Sequence, residues 1–204
     1  MKAITLAAVL NVVSILVVTG CAQLPAEQLE AAAKAVEAAK TAGAEDYAKE
    51  DYIKLEQQFS LAKDALAKQE NVYSVFRSYT EADDLLKQVV LSGQQVAVVA
   101  VQKKEAAKLA AMSTEKEALQ MMASVKKLMS TAPNGKERAA VATIKEDVAG
   151  LETSLNAVHQ LIDKGDYLAA DTQSKAIKAK GAAISEELLD AIAKTKARKN
   201  KTHA

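Results

Sequence analysis

The sequence predicts an all-α protein: an elongated antiparallel helical bundle, in which two three-helix bundles share one long helix. Three observations carry this. Alanine, glutamate, lysine and leucine dominate, and the 204 residues hold only 7 glycines, 2 prolines and no tryptophan, a composition suited to long helices. Apolar residues recur at spacings of three and four over most of the chain, the period of a helix–helix seam. Beyond the N-terminal segment no β-branched stretch alternates with period two, apart from the short run Val96–Val101, so almost no sheet is expected.

The chain starts with the positive Met1-Lys2, and residues 3–18 are apolar except for Thr5, Asn11 and Ser14. Such a stretch is short for a membrane span and fits a secretory signal. It runs into Val18-Thr19-Gly20-Cys21, which contains the only cysteine of the chain. This four-residue run resembles the lipobox of bacterial lipoprotein signal peptides, which reads aliphatic, small, Gly/Ala, Cys. The resemblance implies that lipid is attached to the Cys21 sulfur, that the chain is cut between Gly20 and Cys21, and that the new amino terminus is acylated too. Three acyl chains supply several tens of buried methylenes at roughly 0.8 kcal/mol each, enough to hold a protein to a bilayer permanently. Thioether formation also removes an unpaired thiol from an oxidising compartment. Ala22 follows the cysteine; by the same resemblance an Asp there would favour the inner membrane. The expected location is therefore the outer membrane, facing the periplasm and anchored by lipid.

Residues 1–20 are thus read as signal peptide, 21–25 as lipidated tether, 26–112 as an N-terminal helical region, 113–199 as a C-terminal helical bundle and 200–204 as a tail. Without Lys2 the chain has 26 basic and 26 acidic residues. That balance conceals an asymmetry, because Lys194, Lys196, Arg198, Lys199 and Lys201 crowd the C-terminal end.

Pro25 suits a helix start and opens a helix over 26–42, with Leu29, Ala33, Val36 and Ala39 on one side. Gly43 stops it. Glu45-Asp46 starts a second helix with the seam Tyr52, Leu55, Phe59, Ala62 and Leu66. Asn71 is a suitable N-cap for a third helix from near Val72, carrying Phe76, Tyr79, Leu86, Val90, Ala97 and Ala100. Its seam continues through Leu109, Met112, Leu119, Met122, Val125 and Met129. Ser113-Thr114-Glu115-Lys116-Glu117 resembles an N-cap with an acidic first turn, so this helix either breaks near 113 or runs on for nearly 60 residues, roughly 90 Å at 1.5 Å per residue. Ala132-Pro133-Asn134-Gly135 is the clearest punctuation. A fourth helix follows with Val141, Ile144, Val148, Leu151, Leu155, Val158 and Ile162 in heptads. Gly165 stops it and Asp166 caps the next, a fifth helix from Tyr167 to about Lys196 with the seam Ala170, Ser174, Ile177, Gly181, Ile184, Leu188 and Ala191. The short connection makes these two helices neighbours.

Three helix starts share an Asx followed by a tyrosine: Asp46-Tyr47, Asn71-Val72-Tyr73 and Asp166-Tyr167. Capping explains the Asx, and the ring can pack over the turn with its hydroxyl wet. A ligand role requires these tyrosines to converge in space. The stretches Gly43-Ala44-Glu45-Asp46-Tyr47 and Asn71-Val72-Tyr73, with Ala82 after them, resemble uncharacterised Ala-rich helical lipoprotein domains of Gram-negative bacteria over residues 26–100. Ala48-Lys49 stands where that family usually has proline, and the family carries no assigned catalytic residues. Gly165-Asp166-Tyr167-Leu168-Ala169-Ala170 is weakly similar to tetratricopeptide-type hairpins.

No catalytic residue, metal ligand set or cofactor site is expected. His159 is the only histidine before the extreme C-terminus, and a zinc site wants several His or Cys ligands. The acidic pairs Glu45-Asp46, Asp83-Asp84 and Glu186-Glu187 are adjacent on helices and diverge by about 100°. Phosphate-cradling Gly-rich loops and nucleophile elbows are absent from the sequence. Met112, Met121, Met122 and Met129 fit core filling, or an adaptable partner groove. The basic end suits the helix dipole; alternatively it is a candidate contact for lipopolysaccharide phosphates or peptidoglycan carboxylates. The compartment leaves no nucleic-acid partner. The expected function is a non-enzymatic structural or adaptor lipoprotein that presents a helical surface to an envelope protein. Alternatives are capture of a small apolar or lipid-like ligand, favoured by a cavity at Met121, Met122 and Leu128, and cell-wall contact through the basic tail.

Overall fold

The computed structural model describes residues 23–131 and 138–202, with side chains given except at 138–141 and 199–202. The described residues form α1 (Ala26–Thr41), α2 (Ala44–Tyr47), α3 (Lys49–Glu70), a 3-10 turn (Ser74–Phe76), α4 (Thr80–Ser130), α5 (Arg138–Lys164) and α6 (Tyr167–Thr202). No strand occurs among them. The fold is an all-α helical bundle organised by α4. One buried cluster joins α1, α2 and α3 to the first half of α4; a second joins α5 and α6 to its second half.

Side-chain pairs fix the directions. Ala35 meets Gly93 and Gly43 approaches Lys104, so α1 runs parallel to α4. Asp51 pairs with Lys103, and Asn71 shares a hollow with Glu81, so α3 runs back between them. In the second bundle Glu115 meets His159 and Lys126 meets Glu152, which makes α5 antiparallel to α4. Thr114, Glu117 and Met121 meet Asp171, Lys178 and Gly181 in ascending order, which makes α6 parallel to it. The path is up, down, up in each bundle, and α4 is the last stroke of the first and the first stroke of the second.

Helix α4 passes Ser113 without a break. The Thr114 hydroxyl lies 3.1 Å from the carbonyls of Ala110 and Ala111 and 3.0 Å from Asp171 Oδ1. It back-bonds to its own helix and reaches α6, where a cap would have turned away from the preceding turn. The helix starts at Thr80, later than the expected Val72. Residues 71–79 are instead held as a loop: Arg77 donates to the Val72 and Glu70 carbonyls at 2.8 and 3.0 Å, and the Ser78 amide donates to Gln69 Oε1 at 3.0 Å. These side-chain partners satisfy groups that helical bonds would otherwise need. The second expected helix is divided at Ala48, whose φ of −137° separates α2 from α3. Helix α6 continues past Lys196 to Thr202.

The first helix buries Ala32, Ala35 and Ala39, with Leu29 and Val36 at the flanks; Ala33, expected inward, is exposed. Gly93 explains this rotation. A Cβ there would lie 2.8 Å from Ala35 Cβ and 3.0 Å from the Ala35 backbone, so the two helices touch almost backbone to backbone. Only the smallest side chains fit such a seam. The second bundle follows its expected heptads more closely: Ile144, Val148, Leu151 and Val158 of α5, and Ala170, Ser174, Ile177, Ile184 and Leu188 of α6, are buried.

Three glycine-to-alanine substitutions separate packing from propensity. Gly93→Ala should destabilise by about 1–3 kcal/mol through overpacking, despite a helix-propensity gain of about 1 kcal/mol, because its clash is with backbone. Gly181→Ala meets only the flexible Met121 side chain, 2.5 Å away at Cγ, and should be near neutral. Gly150 is exposed with nothing within 4 Å, so Gly150→Ala should stabilise by about 0.5–1 kcal/mol. Urea unfolding of the three variants checks the order; equal effects at all three positions would refute the close α1–α4 contact.

Candidate functional site

The continuous surface of this molecule is the outer face of α4. Leu91, Val98, Val101, Leu109, Met112 and Leu119 are 68, 56, 56, 62, 48 and 50% exposed. Positions 91, 98, 105, 112 and 119 recur every seven residues, a spacing that drifts only about 20° per heptad around a straight helix. They form one stripe, about 42 Å long over 28 residues. Glu105 interrupts it, and Lys116 is exposed within it. Scattered exposed leucines need no explanation, whereas an aligned apolar stripe is a candidate interaction surface.

Leu109, Met112 and Leu119 were expected in the core seam. The structure places Ala111 and Ala118 there instead, both 0% exposed, with Met122 and Val125. There Ala111 and Ala118 face a seam also filled by Met122, Val125, Ile177, Ile184 and Leu188, and Gly181 of α6 makes room for the Met121 side chain. The other methionines divide between roles: Met122 is 3% exposed, Met121 and Met129 pack against the second cluster, and Met112 joins the outer stripe. Met121, Met122 and Leu128 act together as core filling on α4.

Two of the three Asx-tyrosine turns converge at the waist between the bundles. Gly165 adopts φ +80°; its amide donates to the Ile162 carbonyl at 3.0 Å, and the Asp166 amide donates to that of Leu161 at 2.9 Å. These bonds are a Schellman stop, which requires a residue tolerant of positive φ. Asp166 Oδ1 then accepts from the Ala169 amide at 3.2 Å and caps α6. The Gly165 carbonyl is left pointing at α2, where Tyr47 Oη donates to it at 3.0 Å. Lys104 of α4 lies over the Tyr47 ring, 5.9 Å from its centroid. Burial pushes the Tyr47 pKa up, against a lowering contact with the Tyr167 backbone, and the Asp166 and Asp46 carboxylates add to the rise. The phenol therefore stays a donor. The third tyrosine, Tyr73, sits far away on the 71–79 loop, so the three do not build one site.

The remaining candidate residues are dispersed. Gly20 and Cys21 lie outside the described residues. Lys194 is paired with Asp190 at 2.5 Å; Lys196 and Arg198 are exposed on α6, and the side chains of Lys199 and Lys201 lie outside the described set. His159 is exposed, with Nδ1 3.2 Å from Glu115 and Nε2 4.0 Å from Asp163. Glu45 pairs with Lys40 and Asp83 with Lys87; their neighbours Asp46 and Asp84 project elsewhere. Among the described residues no group of three or more His, Cys, Asp or Glu could hold a metal, and no helix is long and apolar enough to cross a membrane. The chain matches no protein-family model, no curated protein and no solved structure.

The sequence signal for the stripe was a second apolar series on the same long helix as the alanines. Larger side chains drew it into the seam, whereas helix separation decides which series goes inside.

Two substitutions test the contacts that fix this geometry. Tyr47→Phe should cost about 1 kcal/mol, the worth of one hydrogen bond, and should speed amide exchange at Tyr167 and Leu168, across the waist; unchanged exchange would show that the contact does not couple the bundles. Asp171 bonds both Lys175, at 2.7 Å, and Thr114. Foremost the Lys175 ammonium, and also the Thr114 hydroxyl, hold its carboxyl below its ordinary value against partial burial. The folded protein therefore releases this proton more readily than the unfolded chain does. The resulting stability is complete above the unfolded value of 3.8 and is lost as pH falls through the lower folded value. Asp171→Asn should lose about 1 kcal/mol at neutral pH, and the gap to wild type should close on acidification below that window. A gap independent of pH would refute the assignment.

Proposed function

We propose that this chain is a lipid-anchored structural or adaptor protein of the bacterial envelope, non-enzymatic, held to the outer membrane and facing the periplasm through acyl chains on Cys21. In this reading it resembles bacterial lipoproteins in its leader, and it works by presenting the outer face of α4 to a protein partner. The observation that carries the proposal is the stripe Leu91, Val98, Val101, Leu109, Met112 and Leu119. It spans both bundles on the one helix they share, and its apolar side chains gain by leaving water at about 25 cal/mol per Å².

A second reading, cell-wall contact through the basic end, is favoured by the position of that end. Pro25 shares a hollow with Tyr79 and Thr80, at the start of α4. Helix α6 runs parallel to α4 with Gly181 beside Met121, so Lys194, Lys196 and Arg198 fall past Ser130, the last residue of α4. The start of α1 and the basic end occupy opposite poles, separated by the 51 residues of α4, about 77 Å at 1.5 Å per residue. Salt-sensitive retention of the chain on purified peptidoglycan, lost with Lys194→Glu and Lys196→Glu together, would support this reading.

A photo-crosslinking residue at 98, 109 or 119 tests the first reading in cells. A single defined adduct is expected from each of these positions and none from the exposed Glu187 on α6. It should disappear when Leu109→Asp is combined with crosslinking from 98, while the Tm stays within the small range of surface substitutions, about ±0.5 kcal/mol in stability. Loss of the adduct in Cys21→Ala would tie the contact to the anchor. No adduct from the stripe, with the chain still sedimenting in the outer membrane, would overturn the adaptor reading.

A further inference from the structure

We infer that the loop Tyr73-Ser74-Val75-Phe76 seats in the surface of the lipid bilayer and sets the orientation of the bundle on the membrane. This inference rests on the lipid anchor proposed above.

Tyr73, Val75 and Phe76 are 83, 81 and 77% exposed, more than any other large apolar side chain described. The chain has only 5 tyrosines, 2 phenylalanines and no tryptophan, yet two of these aromatics stand in water on one tip. The tip is well organised on its inner side. Phe76 donates its amide to the Tyr73 carbonyl at 2.8 Å, Arg77 ties down the Val72 and Glu70 carbonyls, and Gln69 receives the Ser78 amide. These bonds tie the base of the loop inward, and the apolar side chains of Tyr73, Val75 and Phe76 stand exposed. A pre-ordered loop loses little further freedom on docking.

Its place in the fold identifies the occupant. The loop joins the end of α3 to the start of α4, and Tyr79 and Thr80 at that start share a hollow with Leu24 and Pro25. Cys21 is two residues before Gln23, a reach of at most about 7 Å. The exposed tip therefore lies at the pole where Gln23 and Leu24 begin the described chain, within that reach of the residue proposed to carry the acyl chains, and Leu24 at this pole is 44% exposed. Residues 71–80 contain no Asp or Glu and one Arg, so the tip itself carries no negative side chain, and the exposed Glu70 and Glu81 flank it. Tyrosine and phenylalanine with an apolar neighbour suit the boundary between headgroups and acyl chains. The acyl chains hold the protein to the bilayer; the loop adds a second contact that fixes which way the rod points.

The absence of tryptophan provides the test. The full-length acylated chain carrying Phe76→Trp is reconstituted in phosphatidylethanolamine–phosphatidylglycerol vesicles, with Leu189→Trp, at the opposite pole, as the reference. Emission from position 76 should shift to shorter wavelength and be quenched about twofold by brominated acyl chains, as expected for a ring about 5–10 Å into the interface; emission from 189 should do neither. Chains that float with the vesicles while position 76 behaves like 189 would overturn the inference and leave the anchor standing. A blue shift in native outer membranes without bromolipid quenching in vesicles would also overturn it, in favour of a protein contact. Cys21→Ser chains run in parallel decide the anchor separately: flotation equal to wild type refutes the acyl anchor, and quenching at 76 in that variant still supports the loop.

Discussion

The near-backbone contact between Ala35 of α1 and Gly93 of α4 is the constraint from which the rest of the architecture follows. At that separation neither seam has room for a large side chain, and the interior of the first bundle is built on Ala32, Ala35, Ala39, Ala82 and Ala100, with Leu55, Leu86 and Val89 filling the wider side. Gly181 differs, since the space above it is filled by the flexible Met121 side chain and not by backbone. Small residues release less hydrophobic free energy per position than leucines would, and length compensates. Each bundle extends over many turns of α4, and the sum over a long seam replaces a thick core.

A core made of alanine changes what the larger apolar residues do. Leu109, Met112 and Leu119 are not required inside, because Ala111 and Ala118 already fill the inner face of α4. They remain on the opposite face, at a cost in exposed apolar surface that a monomer has no folding reason to bear. The inference from these residues to a docking surface is thus energetic: the fold is complete without them.

Much of the fold was legible in the sequence, and the errors share one origin. Gly43 and Gly165-Asp166 mark chain reversals by turn chemistry that tolerates few alternatives, so the helices on either side of them could be read in order; the Pro133-Asn134-Gly135 punctuation lies outside the described residues. The α5–α6 seam was readable because Ile144, Val148, Leu151, Ile177, Ile184 and Leu188 contrast sharply with polar neighbours. The inner faces of α1 and α4 were not, since alanine favours a helix equally well inside and outside. Where Ala33 competes with Ala32 and Ala35, or Leu109 with Ala111, periodicity does not choose; the distance between helices does, and that distance is a tertiary property. Ser113-Thr114-Glu115 failed as a boundary for a related reason. A capping pattern ends a helix only if the chain gains by leaving, and here Asp171 of α6 gives the Thr114 hydroxyl a partner while the helix continues. The candidate stripe was legible as residues but not as a surface.

Continuity of α4 is what makes the two bundles one object. Helices α1 and α3 end or begin at the waist, as do α5 and α6, and only α4 passes through it. Across the waist the Tyr47 bond to the Gly165 carbonyl links the two sets of turns from the side, so bending there would require α4 to deform and this contact to break together. The outer face of α4 runs past both bundles, and the apolar stripe, broken by Glu105, lies on that face from the first bundle into the second. The two poles differ in chemistry, with apolar and aromatic groups beside the start of α1 and basic groups past the end of α4. A rod with unlike ends and a side stripe has a defined direction along its length and a defined azimuth about it. Those are the two quantities a protein must control to hold a partner at a fixed height and angle above a membrane.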